Sequence, residues 1–193
     1  MSRPKTISDD EVLKVARAVF RNRGHTATTR EIADAAGISE AILYQRFGSK
    51  DDLFFAAMRP TGPDIEELLG PEEPPEDARK YLRLTVAKVA RYFAKIIPEA
   101  LHVTTHPSFD PSVFTRGPIP SVILRHGLAT RLQSLANRKR IAVSSAQAAA
   151  RLLVSLAHDW ALGQALMHAN SPRRDKELQE LVAVIWEGLR PQR

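Results

Sequence analysis

The sequence predicts an all-α protein in two parts, a small N-terminal domain over residues 1–53 and a larger helical domain over residues 54–193. Apolar residues recur at helical spacing along most of the chain, and no segment shows the apolar and polar alternation of a half-buried strand. Residues 60–75 contain five prolines, and residues 64–77 hold seven acids and no base. This composition is typical of a connector, and it separates the two parts.

The first two helices each begin at a capping box, in which a serine or threonine precedes a glutamate by three residues. Ser8 and Glu11 begin the first helix, which we expect to end at Gly24. Thr28 and Glu31 begin the second helix, which runs to residue 36. Small residues on its inner side allow a neighbouring helix to cross it closely.

A glycine turn follows the second helix and leads into a third. Gly37 supplies the left-handed backbone conformation of a tight turn, and Ser39 caps a helix over residues 40–47. Leu43 and Phe47 lie four residues apart and face inward, so the residues between and before them face outward. Two short helices joined by such a turn are the signature of a helix-turn-helix unit.

The remaining helices are predicted from apolar stripes and from the prolines and glycines between them. Ser49 begins a fourth helix, and one helical turn is expected at residues 65–69, within the connector. A long helix covers residues 78–97, and we expect Pro98 to interrupt it. A proline-rich loop over residues 105–121 then precedes three helices, which are predicted at residues 121–137, 144–169 and 173–189.

The helix-turn-helix residues resemble those of the tetracycline-repressor (TetR) family of bacterial transcriptional regulators. They keep the order and spacing of the family's pattern, and the all-helical remainder agrees with a family whose second domains share helix layout more than sequence. The matching residues are Thr28, Thr29, Arg30, Glu31, Ile32, Ala33, Ala36, Gly37, Ile38, Ser39, Leu43, Tyr44, Phe47, Ser49, Lys50 and Leu53.

The resemblance implies that this unit binds double-stranded DNA, with the third helix in the major groove. Residues at helix N-termini suit phosphate, because free backbone N–H groups and the helix dipole favour an anion there. Base edges are read by hydrogen bonds and by apolar contact with the thymine methyl group. We expect phosphate contacts from Thr28, Thr29, Tyr44 and Lys50, and base-edge contacts from Arg30, Glu40, Ala41, Ile42 and Gln45, with Arg46 flanking them.

Several of these roles have alternatives. Arg30 is nearly as well explained by an ion pair with Asp34, four residues along the same helix. Tyr44 fits either a hydroxyl contact to phosphate or a ring contact to a thymine methyl group. Arg3 and Lys5 form either an arm that enters the minor groove or a solvated tail. The family often has Gly-Thr where this chain has Ala-Ile at residues 41–42, so base preference cannot be carried over.

In the TetR family the second domain encloses a ligand pocket, and the resemblance implies an apolar one here. It would be bounded roughly by residues 82–93, 101–106, 123–128 and 153–160. Phe93, Trp160, His102 and His106 are the candidate ligand contacts, and simple core packing is the alternative for each. His102 and His106 also have the spacing of a metal-binding pair on a helix, but Glu99 is their only evident further ligand. We therefore expect no metal and no cofactor.

The last two helices carry more apolar surface than one domain needs to bury. The helix over residues 144–169 is apolar around much of its circumference, and Val184 and Trp186 lie off the main stripe of the final helix. The resemblance implies that these two helices form a four-helix bundle with a second copy of the chain. The alternative is that their second face is covered within the chain.

Composition limits the remaining classes. The formal net charge of +6 permits a polyanionic partner, and the absence of cysteine excludes disulfides and thiolate metal sites. We find no signal peptide, no membrane span and no motif of an enzyme, and we expect a cytoplasmic protein that is not an enzyme.

The function predicted is that of a ligand-responsive DNA-binding transcriptional regulator. It would act as a repressor that binds a palindromic operator as a homodimer and is released by a small apolar ligand. The alternatives are a helical regulator that responds to a protein or to no small molecule, and a helical interaction module that does not bind DNA. A metal-dependent enzyme that uses His102 and His106 is a further alternative.

Overall fold

The computed structural model describes residues 7–59, 62–112, 119–167 and 172–190 of the chain. Over these residues the protein consists of helices and connecting segments without a β-strand, and the all-α prediction is confirmed. None of the described helices combines the length and apolar character that a membrane crossing requires. The α-helices are α1 (Asp9–Arg23), α2 (Thr29–Ala36), α3 (Glu40–Phe47), α4 (Lys50–Ala57), α5 (Ile65–Leu69), α6 (Ala78–Thr104), α7 (Pro120–Asn137), α8 (Ala146–Met167) and α9 (Pro172–Leu189).

The chain folds into two compact units. The first unit consists of Met1–Thr61 and Glu99–Val113, and the second consists of Gly62–Pro98 and Phe114–Arg193. Residue 53, the predicted domain boundary, lies inside α4, and α4 belongs to the first unit as a whole. The division into domains at residue 53 stays a prediction.

The first unit is built around one apolar core to which each of its helices contributes. The rings of Phe20 and Phe54 meet edge to face, with their centroids 4.9 Å apart, and both side chains are fully buried. Residues that share this core are Val12, Ala16, Phe20, Ala27, Ile32, Ala33, Leu43, Leu53, Phe54, Ala57, Met58 and Val103. The burial of Leu43 and Ala33 confirms the inward faces predicted for the two helices around the glycine turn.

The predicted capping boxes are present at the start of α1 and α2. The Ser8 hydroxyl accepts from the backbone N–H of Glu11 at 3.3 Å, and the Glu11 carboxylate accepts from the backbone N–H of Ser8 at 2.8 Å. Thr28 and Glu31 exchange the same two bonds at 3.2 Å and 2.9 Å. Since these bonds satisfy N–H groups that the helix itself leaves free, each helix start is fixed by residues three apart.

The second unit is organised by contacts between residues far apart in the chain. The buried guanidinium of Arg131 on α7 donates from Nε to the carbonyl of Gly70 at 2.8 Å, and from Nη1 to that of Gly127 at 3.0 Å. A Cβ atom on Gly127 would lie only 3.1 Å from the Leu69 side chain, so glycine allows α5 to approach α7. The buried Tyr81 hydroxyl donates to the Leu69 carbonyl at 2.9 Å, and burial raises the pKa of Tyr81 to about 12.

Pro98 lies inside α6, which continues to Thr104, so the prediction that Pro98 interrupts this helix was wrong. A proline within a helix removes one backbone hydrogen bond and costs about 3 kcal/mol. The turn after Pro98 is anchored in the first unit, where Val103 joins the core and the Glu99 carboxylate lies 3.4 Å from Nε of Arg21. These contacts offset the loss of stability caused by Pro98. They join residues that are far apart in the chain, so local sequence does not predict them.

Candidate nucleic-acid interface

The turn between α2 and α3 holds the two helices in a fixed crossing. Gly37 adopts the left-handed conformation with φ 69° and ψ 31°, and its N–H donates to carbonyls at the end of α2. The N–H of Ile38 donates to the Ala33 carbonyl at 3.1 Å, which closes the end of α2. The Ser39 hydroxyl then accepts from the backbone N–H of Ile42 and caps α3. This is the helix-turn-helix geometry predicted from the sequence.

One face of α3 is exposed. Leu43 is 2% exposed, whereas Ile42 is 40% exposed and Tyr44 is 47% exposed. Ala41 and Gln45 are exposed on the same side of the helix. The face therefore presents two apolar groups, one phenol ring and one amide, which are the kinds of group that read base edges in a major groove.

Thr29, Glu40 and Tyr44 form a polar cluster that joins α2 to α3. The Thr29 side chain is 8% exposed, and its hydroxyl donates to Oε2 of Glu40 at 2.6 Å. The same hydroxyl oxygen lies 3.2 Å from the Tyr44 hydroxyl. These three predicted DNA contacts thus lie together, and the Thr29 hydroxyl is engaged within the protein.

Two of the positively charged side chains predicted to contact DNA also bind groups within the protein. Nε of Arg46 lies 2.7 Å from the Asp9 carboxylate, and Nη2 of Arg46 donates to the Ile7 carbonyl at 2.8 Å. The Lys50 ammonium donates to the His25 carbonyl at 2.6 Å. An ammonium has three protons, so Lys50 retains donors for a second partner.

The remaining predicted contacts lie at the start of α2, where Thr28 and Arg30 are exposed. Arg30 makes no ion pair with Asp34 in the part of the chain that the structure describes, so the pair weighed against base contact is not formed. Glu31, which belongs to the capping box, forms an ion pair with Arg23. The backbone N–H of Thr28 lowers the pKa of Glu31 most, and Arg23 lowers it further.

A buried histidine that sequence reasoning did not place here packs on the start of α4. The His106 ring stacks on that of Phe54 with centroids 4.5 Å apart and an interplanar angle of 30°. Nδ1 of His106 accepts from the backbone N–H of Ser108 at 3.1 Å, and its Nε2 lies 3.7 Å from Oδ1 of Asp51. The Ser108 hydroxyl donates to the same Asp51 carboxylate. Residues 106–108 are thereby tied to the residue that follows Lys50.

The position of His106 changes its acid–base properties. Burial lowers the pKa of the ring, and the Asp51 carboxylate opposes this by raising it. His25 and Lys50 lower the pKa further, since both disfavour a second positive charge. A histidine immediately before a proline gives no local sequence signal of such burial, and only the fold reveals it.

The four predicted ligand contacts are divided between the two units. His102 and His106 belong to the first unit, and His106 lies beyond the end of α6 at Thr104. Phe93 and Trp160 are buried in the second unit, where the Phe93 ring meets that of His158 edge to face at 5.1 Å. No group of three or more His, Cys, Asp or Glu residues with a metal-binding arrangement occurs among the described residues. Arg3 and Lys5 lie outside them.

An exposed helix that follows a glycine turn and packs on the buried core of the first unit is the arrangement of a helix-turn-helix unit. Residues 12–57 match the family described as bacterial regulatory proteins, tetR family. The likeness to this family thus lies in the N-terminal part of the chain, where the helix-turn-helix unit is found.

Curated relatives match the same part of the chain. This chain is 42% identical to the HTH-type transcriptional activator FasR of Mycolicibacterium smegmatis over 57 residues. The matched segment covers 29% of this chain and 26% of that protein. Over 51 residues it is 45% identical to the HTH-type transcriptional repressor KstR2 of the same organism, covering 26% of this chain and 25% of that protein. The chain thus matches about a quarter of the length of these relatives.

The likeness to solved structures extends over nearly the whole chain. A TetR transcription regulator from Haloarcula marismortui superposes on 94% of this chain and 97% of its own, with a TM-score of 0.69 at 15% sequence identity. At this identity the likeness concerns the fold, and it includes the helical second part that the shorter sequence matches do not reach.

Proposed function

We propose that the protein is a transcriptional regulator that binds a palindromic operator as a homodimer and leaves it when a small apolar ligand binds. The observation that carries the proposal is the exposed face of α3, where Ile42 and Tyr44 are 40% and 47% exposed beside the buried Leu43. Apolar side chains and polar groups on one exposed helix face are suited to contact base edges in a major groove.

The DNA contacts divide into two kinds. Thr28 at the start of α2 and Lys50 at the start of α4 suit phosphates, because both lie at helix N-termini. Arg30, Ala41, Ile42 and Gln45 are exposed and suit base edges. In a dimer, two copies of α3 would enter successive major grooves about 34 to 36 Å apart.

The homodimer is supported by apolar side chains left exposed on the last two helices. Leu152 and Met167 on α8 are 55% and 71% exposed, and Val184 on α9 is 72% exposed. Leu178 and Val182 on α9 are buried within the chain, so the exposed side chains form a second face. A second copy of the chain would cover this face by a twofold contact, the commonest symmetry of soluble oligomers.

The ligand would bind in the second unit around Phe93 and Trp160. Both side chains are buried among apolar helices, as is typical of small-molecule sites. A cavity of about 700 Å³ in the same unit lies elsewhere, between the ends of α7 and α9. Its lining includes the charged residues Glu187 and Arg190. Titration of protein bound to its operator with a panel of apolar compounds tests the ligand, since at least one compound should release the DNA.

Selection of bound sequences from random duplex DNA tests the DNA-binding proposal. We expect a palindrome, and light scattering of the same sample should give about twice the chain mass of 21.5 kDa. Gln45→Ala should weaken the discrimination between bases by about 1 to 3 kcal/mol at one position of each half-site. Lys50→Ala should instead weaken binding to all sequences about equally, because a phosphate contact carries no sequence information.

Lys95→Ala is a control for the loss of one positive charge, since Lys95 is exposed on α6 in the second unit. It should leave the selected sequence unchanged and lower affinity less than Lys50→Ala. Selection of unrelated sequences without a palindrome would contradict the proposal, as would a Gln45→Ala variant with the same base preference as the natural protein.

A further inference from the structure

The polar cluster of Thr29, Glu40 and Tyr44 has a fixed direction of hydrogen bonding. A hydroxyl group has one proton, and a carboxylate only accepts. The 2.6 Å bond between Thr29 and Glu40 therefore takes the proton of Thr29. At the 3.2 Å contact between Thr29 and Tyr44, the Thr29 oxygen has only lone pairs left, so Tyr44 must donate. Protons thus point from Tyr44 to Thr29 and from Thr29 to Glu40.

This direction determines what Tyr44 offers to DNA. With its proton directed to Thr29, the Tyr44 hydroxyl presents only lone pairs on the exposed face of α3. The second carboxylate oxygen of Glu40 is also an acceptor, and no residue that the structure describes donates to it. The corner of the recognition face formed by Glu40 and Tyr44 is therefore an acceptor-only surface.

We infer that Thr29 and Glu40 set the base preference of this protein by making Tyr44 a hydrogen-bond acceptor, so that the corner selects cytosine. The inference rests on the proposed function and sharpens it. Of the four bases, cytosine alone presents a donor, its N4 amino group, without an acceptor on its major-groove edge. Guanine presents two acceptors, thymine one acceptor, and adenine an acceptor beside its donor.

The same argument implies that neither Tyr44 nor Thr29 donates a hydrogen bond to a DNA phosphate. Phosphate oxygens only accept, and their negative charge opposes the Glu40 carboxylate. A phosphate contact by Tyr44 would require its proton to leave the buried Thr29 hydroxyl. Thr29 acts here as a positioning residue, since it is 8% exposed and acts on DNA through Tyr44.

Base selection with Glu40→Gln tests the inference. Glutamine keeps the length of the side chain and an acceptor for Thr29, but its amide also presents a donor. We expect natural protein to select cytosine at one position of each half-site, and Glu40→Gln to lower that preference about tenfold. Asp34→Asn is the matched control, because Asp34 is exposed on α2, makes no ion pair among the described residues, and loses the same charge. It should retain the cytosine preference.

The salt dependence of operator binding gives a second readout. Each phosphate contact contributes about −0.9 to the slope of log affinity against log salt. Tyr44→Phe should leave this slope unchanged, because no phosphate contact is lost. Thr29→Val should make the slope steeper by about 0.9, because Tyr44 is then free to donate to a phosphate. Thr29→Ser keeps the hydroxyl and should restore the natural slope.

The outcomes distinguish this inference from the proposed function. If natural protein selects a palindrome, but no cytosine in it is lost in Glu40→Gln, the inference is overturned and the proposed function is retained. A Tyr44→Phe variant whose slope is shallower by about 0.9 would also overturn it, because Tyr44 would then contact a phosphate. Natural protein that selects no sequence would overturn the proposed function, and this inference with it.

Discussion

The two compact units are specified by the sequence in different ways. In the first unit the starts of α1 and α2 are fixed by side chains three residues from their backbone partners, as for Thr28 and Glu31. In the second unit the guanidinium of Arg131 holds the carbonyl of Gly70, a residue 61 positions earlier in the chain. Local signals can be read from sequence by their chemistry, whereas a contact over such a separation becomes visible only in the fold.

The largest effect is expected where the first unit depends on its packing instead of its local signals. Phe54→Ala removes a fully buried ring that meets Phe20 edge to face and stacks on His106. It should lower the free energy of unfolding by about 3 to 5 kcal/mol, the usual loss for a buried aromatic ring. Urea unfolding followed by circular dichroism measures this loss.

The neighbouring Phe55 is a control for the loss of a phenyl ring from α4. It is only half-buried, so Phe55→Ala should cost clearly less than Phe54→Ala. Equal losses from the two variants would mean that the core is not centred on Phe54, and that local signals specify more of the unit than its packing does.

Replacing a glycine by alanine should have a smaller effect on stability, and the sign of this effect should differ between the two units. Gly37→Ala puts a side chain on a residue with φ 69°, where the left-handed backbone costs an L-residue about 1 to 2 kcal/mol. Gly188→Ala lies in α9 of the second unit, where alanine should stabilise the helix by about 1 kcal/mol. Among the residues that the structure describes, no heavy atom lies within 4 Å of an added Cβ atom at either site, so backbone conformation decides the sign.

Thermal unfolding of the two variants checks this pair, and Gly37→Asn gives a further control because asparagine tolerates the left-handed region better than alanine. We expect Gly37→Asn to lie between natural protein and Gly37→Ala. If both alanine variants change stability in the same direction, the distinction between a turn-defining glycine and a helical glycine does not hold in this chain.

Much of the first unit could be predicted from sequence, and the exceptions have physical reasons. The capping boxes, the turn at Gly37 and the exposed face of α3 each depend on residues within a few positions of one another. The end of α6 could not be predicted, because Pro98 gives a strong local stop signal that contacts of Glu99 and Val103 oppose. Local propensity was outweighed by tertiary contacts at that point.

The candidate site shows the same limit on a smaller scale. The sequence predicted Thr29, Glu40 and Tyr44 as separate DNA contacts, since each residue type suits a phosphate or a base edge. Their mutual hydrogen bonds depend on how closely α2 and α3 cross, and this distance is not encoded in residue spacing. His106 was considered only with His102, because a spacing of four suggests a shared helix face. The end of α6 at Thr104 separates the two residues.

The smallest effect concerns pH, and it tests whether a contact hidden from sequence contributes to the stability of the first unit. Burial lowers the pKa of His106 below its ordinary value of 6.5, so the unfolded chain binds a proton more readily than the folded chain. Its contribution to stability is therefore complete above pH 6.5 and is lost as pH falls toward the folded pKa. His106→Phe keeps a ring against Phe54 but cannot titrate, so its stability should fall less than that of natural protein between pH 8 and pH 5. Urea unfolding across this range measures the difference, with the exposed His126→Gln as control. A steeper loss in His106→Phe would mean that the Asp51 carboxylate outweighs burial, and that the folded chain favours the charged ring.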